Sequence, residues 1–240
     1  RISDGVFTST EHPPGENILL HNEQSYTLNW PMRIFFFCVQ PALSGGRTPI
    51  AGTRQILKRL PPEIVERFRE KRVMYVRNYG EGLGLSWQEV FQTSDRSVVE
   101  EHCRRASIDV VWKDNNRLRT QQVRPALRHH PITGELLWFN HAAFFHFSSL
   151  PAGVREQILA VMDEENVAFN TFYGDGSAIE PDVLDTIRAA YQDATVRFDW
   201  KQGDLLLLDN MLVAHGRESF EGPRKVAVAL AQPVDASAEE

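Results

Sequence analysis

The segment GDLLLLDNMLVAHGRESFEGPRKVAV, Gly203 to Val228, decides how this chain is read. Four leucines stand between the turn pairs Gly203-Asp204 and Asp209-Asn210, which is strand behaviour. Apolar on both faces, residues 205–208 are expected to form a central strand. A short apolar segment follows and delivers His215 just before Gly216. The chain turns again at Gly222-Pro223, and 226–230 forms the next apolar run.

Runs of the same kind recur along the chain, at 33–39, 73–79, 108–112, 136–147 and 196–200. Each is rich in aromatic and β-branched residues and bounded by Gly, Pro, Asn or Asp. The stretch KDNNRL places a turn at 114–116 and joins two of them as a hairpin. Helices are expected between the runs. One starts at Leu60-Pro-Pro, with Ile64, Val65 and Phe68 as its buried stripe. Ser94 or Asp95 caps another, with Val98, Val99 and Cys103 inward. Pro151 opens a third carrying Val154, Ile158, Leu159 and Met162. A Ser177/Glu180 capping-box pattern precedes a fourth, with Val183, Leu184, Ile187 and Tyr191 on one side. Helices and strands do not alternate strictly. The expected class is mainly β with flanking helices, a sandwich or barrel and not a doubly wound parallel sheet.

At 240 residues the chain is expected to be one domain, 1–240, with a large core. A formal charge of −6 argues against nucleic acid or an anionic membrane as the main partner. No apolar run approaches the ~18 residues that span a bilayer. The chain opens at Arg1 without a charged-then-apolar leader, so no secretory signal is expected, and the absence of Met points to a missing N-terminal segment. Cys38, in an apolar run, and Cys103, in a helix-like one, read as reduced core residues, so a cytoplasmic location is expected.

Chemistry enters at ILLHNEQSY, 18–26. His21 and Glu23 are two apart in a run that otherwise reads as strand, so both should point to one face. A buried carboxylate there needs a positive partner, and a metal ion is one candidate. Alone, the pair is weak. With His215 it completes two histidines and one carboxylate, a set that binds one face of a metal and leaves the rest open, as non-haem Fe(II) oxygenases require.

Taken together, HNE (21–23), SGGRTPIAG (44–52), HHPITGELLWFN (129–140), FYGDGS (172–177) and DNMLVAHGRESFEGPRKV (209–226) resemble the taurine dioxygenase/TfdA-type Fe(II)/2-oxoglutarate-dependent dioxygenases. The resemblance covers nearly the whole chain and is nearest to the SyrP-like and clavaminate synthase-like members. It implies a double-stranded β-helix, or jelly roll, enclosing Fe(II), with 2-oxoglutarate and O2 as cosubstrates. His21, Glu23 and His215 fall on its metal-ligand positions, and a carboxylate at Glu23 implies hydroxylation or desaturation instead of halogenation. Thr48 and Arg224 fall on the residues that bind 2-oxoglutarate, a role that suits a hydroxyl donor and a forked guanidinium. Arg217 is a rival for Arg224. Where the family often carries a second arginine four residues after Arg224, this chain has Val228. The resemblance further implies an amino-acid substrate, free or tethered to a peptidyl carrier protein, in an antibiotic or nonribosomal peptide pathway.

Other residues carry weaker expectations. Asn140 and Asp175 are candidates for meeting the substrate; Arg33, Arg119 and Arg124 could supply a cation for the carboxylate of a free amino acid. His129 and His130 are neighbours in a strand and should face opposite ways. His141 and His146 read as satisfied core or rim histidines. The rival classes are a non-catalytic cupin-type metal-binding or sensor protein, which would not need Thr48 and Arg224, and a hydrolase, for which no Gly-x-Ser-x-Gly elbow is present.

Overall fold

A computed structural model of the chain describes residues 6–8, 12–80 and 84–236. The chain divides into two compact units that interleave in sequence: Arg1–Val65, Leu127–His141 and Asp185–Glu240 form the first, Glu66–Ala126 and Ala142–Leu184 the second.

In the first unit, one sheet pairs the strands Val6–Thr8, Lys225–Asp235, Asn29–Gln40 and Leu205–Asp209, in that order and all antiparallel. A second sheet pairs Thr195–Val196, Ile50–Gly52, Val213–Arg217 and Ile18–His21, again antiparallel. Side-chain alternation along Asn29–Gln40 turns Ile34, Phe36 and Cys38 inward. They pack with Leu208, Val226 and Trp200 and meet Ile50 and Val213 from the second sheet. Each such fully buried aliphatic or aromatic side chain contributes about 1.5–3 kcal/mol. Trp30, Met32, Leu137, Phe139 and Met211 form a further core cluster. These facing antiparallel sheets are the jelly roll.

The second unit pairs Phe169–Tyr173, Val73–Tyr79, Arg117–Arg124 and Asp109–Lys113 in one antiparallel sheet. The KDNNRL turn forms as expected, a single 3-10 turn at Asp114–Asn116 with Lys113 opposite Arg117. Helix Arg96–Arg105 is capped by Asp95, whose carboxylate accepts the Ser97 N–H. It packs Val99 and Cys103 on Tyr79, Trp87 and Leu118.

Several local expectations are corrected. Leu205–Asp209 is the end strand of its sheet, not a central one, and Leu205 and Leu207 are 65% and 53% exposed. The sequence reads a double-faced apolar run there, but the outward leucines lie opposite the outward Phe37 and Phe35 and leave only Leu208 buried. The run 136–147 is strand only at Leu136–Trp138; Ala142–Phe145 is helical and Phe147–Ser149 a 3-10 turn. A short apolar run does not by itself distinguish strand from buried helix. In 196–200 the strand stops at Val196, and Phe198 and Trp200 instead pack edge to face. Val98 is exposed, because the i, i+4 pair Val99/Cys103 defines the buried face of its helix. Helix Ala152–Leu159 does follow Pro151, yet none of its residues is buried. Helix Pro181–Asp193 starts too late for a Ser177/Glu180 box; Ser177 bonds Asp175, and Glu180 accepts from the Tyr173 hydroxyl. Among the described residues, no helix is long and apolar enough to cross a membrane.

Candidate active site

His215 lies directly opposite His21 where Val213–Arg217 runs antiparallel to Ile18–His21. Directly opposed residues project to the same face of a sheet, and the two imidazole centroids are 4.6 Å apart. The next residue must be glycine: a Cβ on Gly216 would stand 2.5 Å from the Ile18 carbonyl oxygen. His21 Nδ1 is 2.9 Å from the Leu19 carbonyl oxygen. A carbonyl only accepts, so Nδ1 carries the proton and Nε2 keeps its lone pair. Burial holds both histidines below the ordinary imidazole value, His215 well below it, and therefore in the neutral form that binds metals. His215 Nδ1 is buried, and among the described residues it has no hydrogen-bond partner.

Glu23 reaches the same place by another route. The strand ends at His21, and Glu23 sits in the turn that follows, so strand alternation does not orient it. Asn210, fully buried, does so by gripping the Glu23 backbone at both ends. Its side-chain oxygen accepts the Glu23 N–H at 2.7 Å, and its amide nitrogen donates to the carbonyls of Glu23 at 2.9 Å and Pro31 at 2.8 Å. Asn22 donates back to the Asn210 carbonyl at 2.5 Å. Asp209 and Thr53 fix the rest of that turn, the first by accepting the N–H groups of Met211 and Leu212, the second by donating to the Met211 carbonyl. The ligand atoms of His21, Glu23 and His215 consequently lie within 4.8 Å of one another. Two neutral imidazoles and one carboxylate suit Fe(II) in chemistry and in number, with coordination positions left open.

These three side chains line a cavity of about 250 Å³. Thr48, Arg217 and Arg224 line it too, and Ile34, Phe36, Val226, Val228 and Leu230 add an apolar surface. Backbone bonds from Gly46 N–H to Ser219, Gly216 N–H to Pro49 and Glu218 N–H to Arg47 place Thr48 beside the His215 strand. Arg224 Nε donates to the Gly46 carbonyl at 3.0 Å, and among the described residues its guanidinium meets no carboxylate. Burial and the neighbouring Arg217 lower it to about 10, still charged at neutral pH. The guanidinium of Arg217 is already engaged, donating to the backbone carbonyls of His12, Pro13 and Glu16. Thr48 is 2% exposed, and its hydroxyl oxygen accepts the indole N–H of Trp200 at 3.0 Å.

The weaker candidates are occupied or lie apart from the cavity wall. Arg33 pairs with Asp209, to which His130 Nε2 donates at 3.1 Å. Arg119 donates to the Glu165 carbonyl, and Arg124, 1% exposed, to the carbonyls of Ala106, Ser107 and Val123. Asp175 is bonded to Lys71 and Ser177 in an exposed turn. Asn140 is buried beside His141. His141 bonds Ser25 at 2.5 Å and stands with its ring 5.7 Å from that of His21. His129 is exposed and His130, just past the end of the Leu127–His129 strand, is buried. The sequence reading missed Asn210 and Trp200. The first was visible only as part of a strand-ending turn pair, the second only as a core aromatic.

The family model described as Taurine catabolism dioxygenase TauD, TfdA family matches residues 3–230. The dapdiamide synthesis protein DdaC of Enterobacter agglomerans is 43% identical over 240 residues, 100% of this chain and 73% of its own. A clavaminate synthase-like protein of Arabidopsis thaliana is 27% identical, over 94% of this chain and 68% of that protein. The solved structure of PvcB from Pseudomonas aeruginosa matches with a TM-score of 0.52 at 19% identity, covering 95% of this chain and 64% of that chain. Asparagine oxygenase matches with a TM-score of 0.55 at 13% identity, covering 95% and 55%. The chain thus spans between about half and three quarters of the length of these proteins. Fold and comparisons together define an enzyme of the Fe(II)- and 2-oxoglutarate-dependent oxygenase class. The chain belongs to the TauD, TfdA family of dioxygenases.

Proposed function

We propose that this chain oxidises an unactivated C–H bond of an amino-acid substrate in a specialised-metabolite pathway, by hydroxylation or desaturation. His21, Glu23 and His215 hold Fe(II), and Thr48 and Arg224 bind 2-oxoglutarate. Bound iron would let O2 act as the oxidant, taking two electrons from 2-oxoglutarate, which leaves as succinate and CO2, and two from the substrate C–H bond. The chain's own part is positional. Neutral imidazoles and a backbone-clamped carboxylate hold the metal on one side, and the apolar wall of Ile34, Phe36 and Val228 keeps water from the cosubstrate.

The observation that carries this reading is Arg224. A half-buried guanidinium without a carboxylate partner among the described residues, in the same cavity as the metal-binding trio, is a site for a small dianion. A cupin-type sensor would have no use for it. Anaerobic addition of 2-oxoglutarate to the Fe(II) protein should produce the weak visible charge-transfer band of a chelated cosubstrate. A protein that binds Fe(II) and gives no band would be the sensor.

The amino-acid assignment is supported by the role in dapdiamide synthesis that the 43% identical relative carries in its name. We favour a substrate tethered to an acidic carrier domain, whose carboxylate is masked as a thioester. The arginines that could answer a free carboxylate, Arg33, Arg119 and Arg124, are engaged by Asp209 or by backbone carbonyls. Candidate amino acids, offered free and carrier-loaded, decide this by mass spectrometry: turnover of the free forms alone rejects tethering. Two free, buried cysteines fit a reaction in the cytoplasm.

A further inference from the structure

Trp200 stands in the core cluster of the jelly roll, 8% exposed, packed edge to face against Phe198. Its one polar atom is the indole nitrogen, and that N–H goes to Thr48 Oγ1 at 3.0 Å. The direction of this bond has a consequence. Indole N–H can only donate, so Thr48 must accept. A threonine hydroxyl has a single proton and rotates to suit its surroundings. Were its neighbour a serine or an amide, the pair could reverse. Here it cannot. Trp200 takes one of the two lone pairs and bars the Thr48 proton from that side, and among the described residues no acceptor receives the proton. Thr48 lines the cavity that Arg224 also lines.

We infer that Trp200 is a positioning residue for the cosubstrate: it fixes Thr48 as a permanent hydrogen-bond donor into the cavity, matched to the acceptor-only oxygens of a carboxylate. This rests on the reading of Thr48 and Arg224 as the 2-oxoglutarate site. Arg224 supplies charge and Thr48 a neutral donor. With the Trp200 side closed to the proton, the hydroxyl has fewer orientations to give up when the dianion arrives, so the pocket is partly ordered for a carboxylate before it binds. The sequence placed Trp200 only in an apolar run, and nothing local links it to a threonine at position 48.

The test is a double-mutant cycle read as 2-oxoglutarate affinity of the anaerobic Fe(II) protein, followed by the charge-transfer band. Trp200→Phe and Thr48→Val should each weaken 2-oxoglutarate about three- to tenfold, the range of one hydrogen bond. In the Thr48→Val background, Trp200→Phe should cost less than about twofold more, because the proton it orients is gone. Thr48→Ser should stay within about twofold of the parent protein. Mn(II) affinity and melting temperature, measured on the same variants, separate positioning from damage to the core. Should Trp200→Phe fail to fold, site-specific replacement of Trp200 by benzothienylalanine removes the N–H and keeps the shape. Two independent factors that simply multiply would overturn the inference while leaving Thr48 in place. No effect of Thr48→Val, with Arg224→Ala still damaging, would overturn both the inference and the assignment of Thr48.

Discussion

Asn210 holds Glu23 by both of its backbone polar groups, accepting its N–H at 2.7 Å and donating to its carbonyl at 2.9 Å. The same residue that closes the Leu205–Asp209 strand therefore sets where the carboxylate of the candidate metal cluster stands. Asn210→Ala should lower stability by about 2–4 kcal/mol, because buried backbone groups of Glu23 and Pro31 lose their partners. It should also weaken Mn(II) or Fe(II) binding tenfold or more, about the cost of losing a ligand-orienting contact. Denaturant unfolding and metal titration measure the two separately; normal metal affinity would show that Glu23 finds its place unaided.

His21→Ala and His215→Ala are each expected to abolish iron-dependent turnover while the chain still folds, since two protein ligands hold Fe(II) poorly. Glu23→Ala should lose oxygenation too, for it removes the one anionic ligand. Succinate release, with circular dichroism as the check on folding, reports the outcome, and full activity in any of the three would refute the metal assignment.

The two arginines near the cavity should separate cleanly. Arg224→Ala is predicted to weaken 2-oxoglutarate by about 2–5 kcal/mol, since the distal carboxylate loses its cation in a partly buried site. Arg217→Ala strips the partner from the carbonyls of His12, Pro13 and Glu16. It should act mainly on stability, by about 1–3 kcal/mol. A large loss of cosubstrate affinity from Arg217→Ala and none from Arg224→Ala would exchange their roles.

Gly216→Ala tests the strand pairing that joins the histidines. A Cβ there would press on the Ile18 carbonyl at 2.5 Å, and backbone on that side has little room to move. The expected result is a loss of about 2 kcal/mol or more, as for other overpacked sites, together with loss of metal binding. Retention of both would mean that the Ile18–His21 strand shifts freely.

The metal-free protein should lose stability in mild acid. Burial lowers the folded-state values of His21, His141 and His215 below the ordinary 6.5. The unfolded chain then binds more protons than the folded one, so stability is intact above about pH 6.5 and falls as pH drops through it. Each histidine contributes a slope of about 1.4 kcal/mol per pH unit until its own folded value is reached. Urea midpoints of metal-free protein between pH 7.5 and pH 5.5 would show this; a flat profile would mean that the three are not buried as neutral imidazoles.

What the sequence determined by itself is whatever local chemistry dictates. Val73–Tyr79 forms where its β-rich composition and bounding residues place it, and the KDNNRL turn closes the hairpin of Asp109–Lys113 and Arg117–Arg124. His215 followed by Gly216, and His21 at the end of an apolar strand, were legible as candidate ligands because motif order and spacing survive without coordinates. The tertiary structure decided the rest. Glu23 shares a face with the histidines through Asn210 and not through strand alternation. Arg224 and Arg217 look alike in sequence, and only the backbone carbonyls of His12, Pro13 and Glu16 reveal which one is already spent. The run 205–208 reads as central from its composition, yet its place at the end of a sheet depends on which strands lie beside it. Trp200 gives Thr48 its direction across a separation that no local pattern spans. Turn and strand preferences act between near neighbours in the chain, whereas hydrogen-bond polarity, charge pairing and burial are settled only when distant residues come into contact.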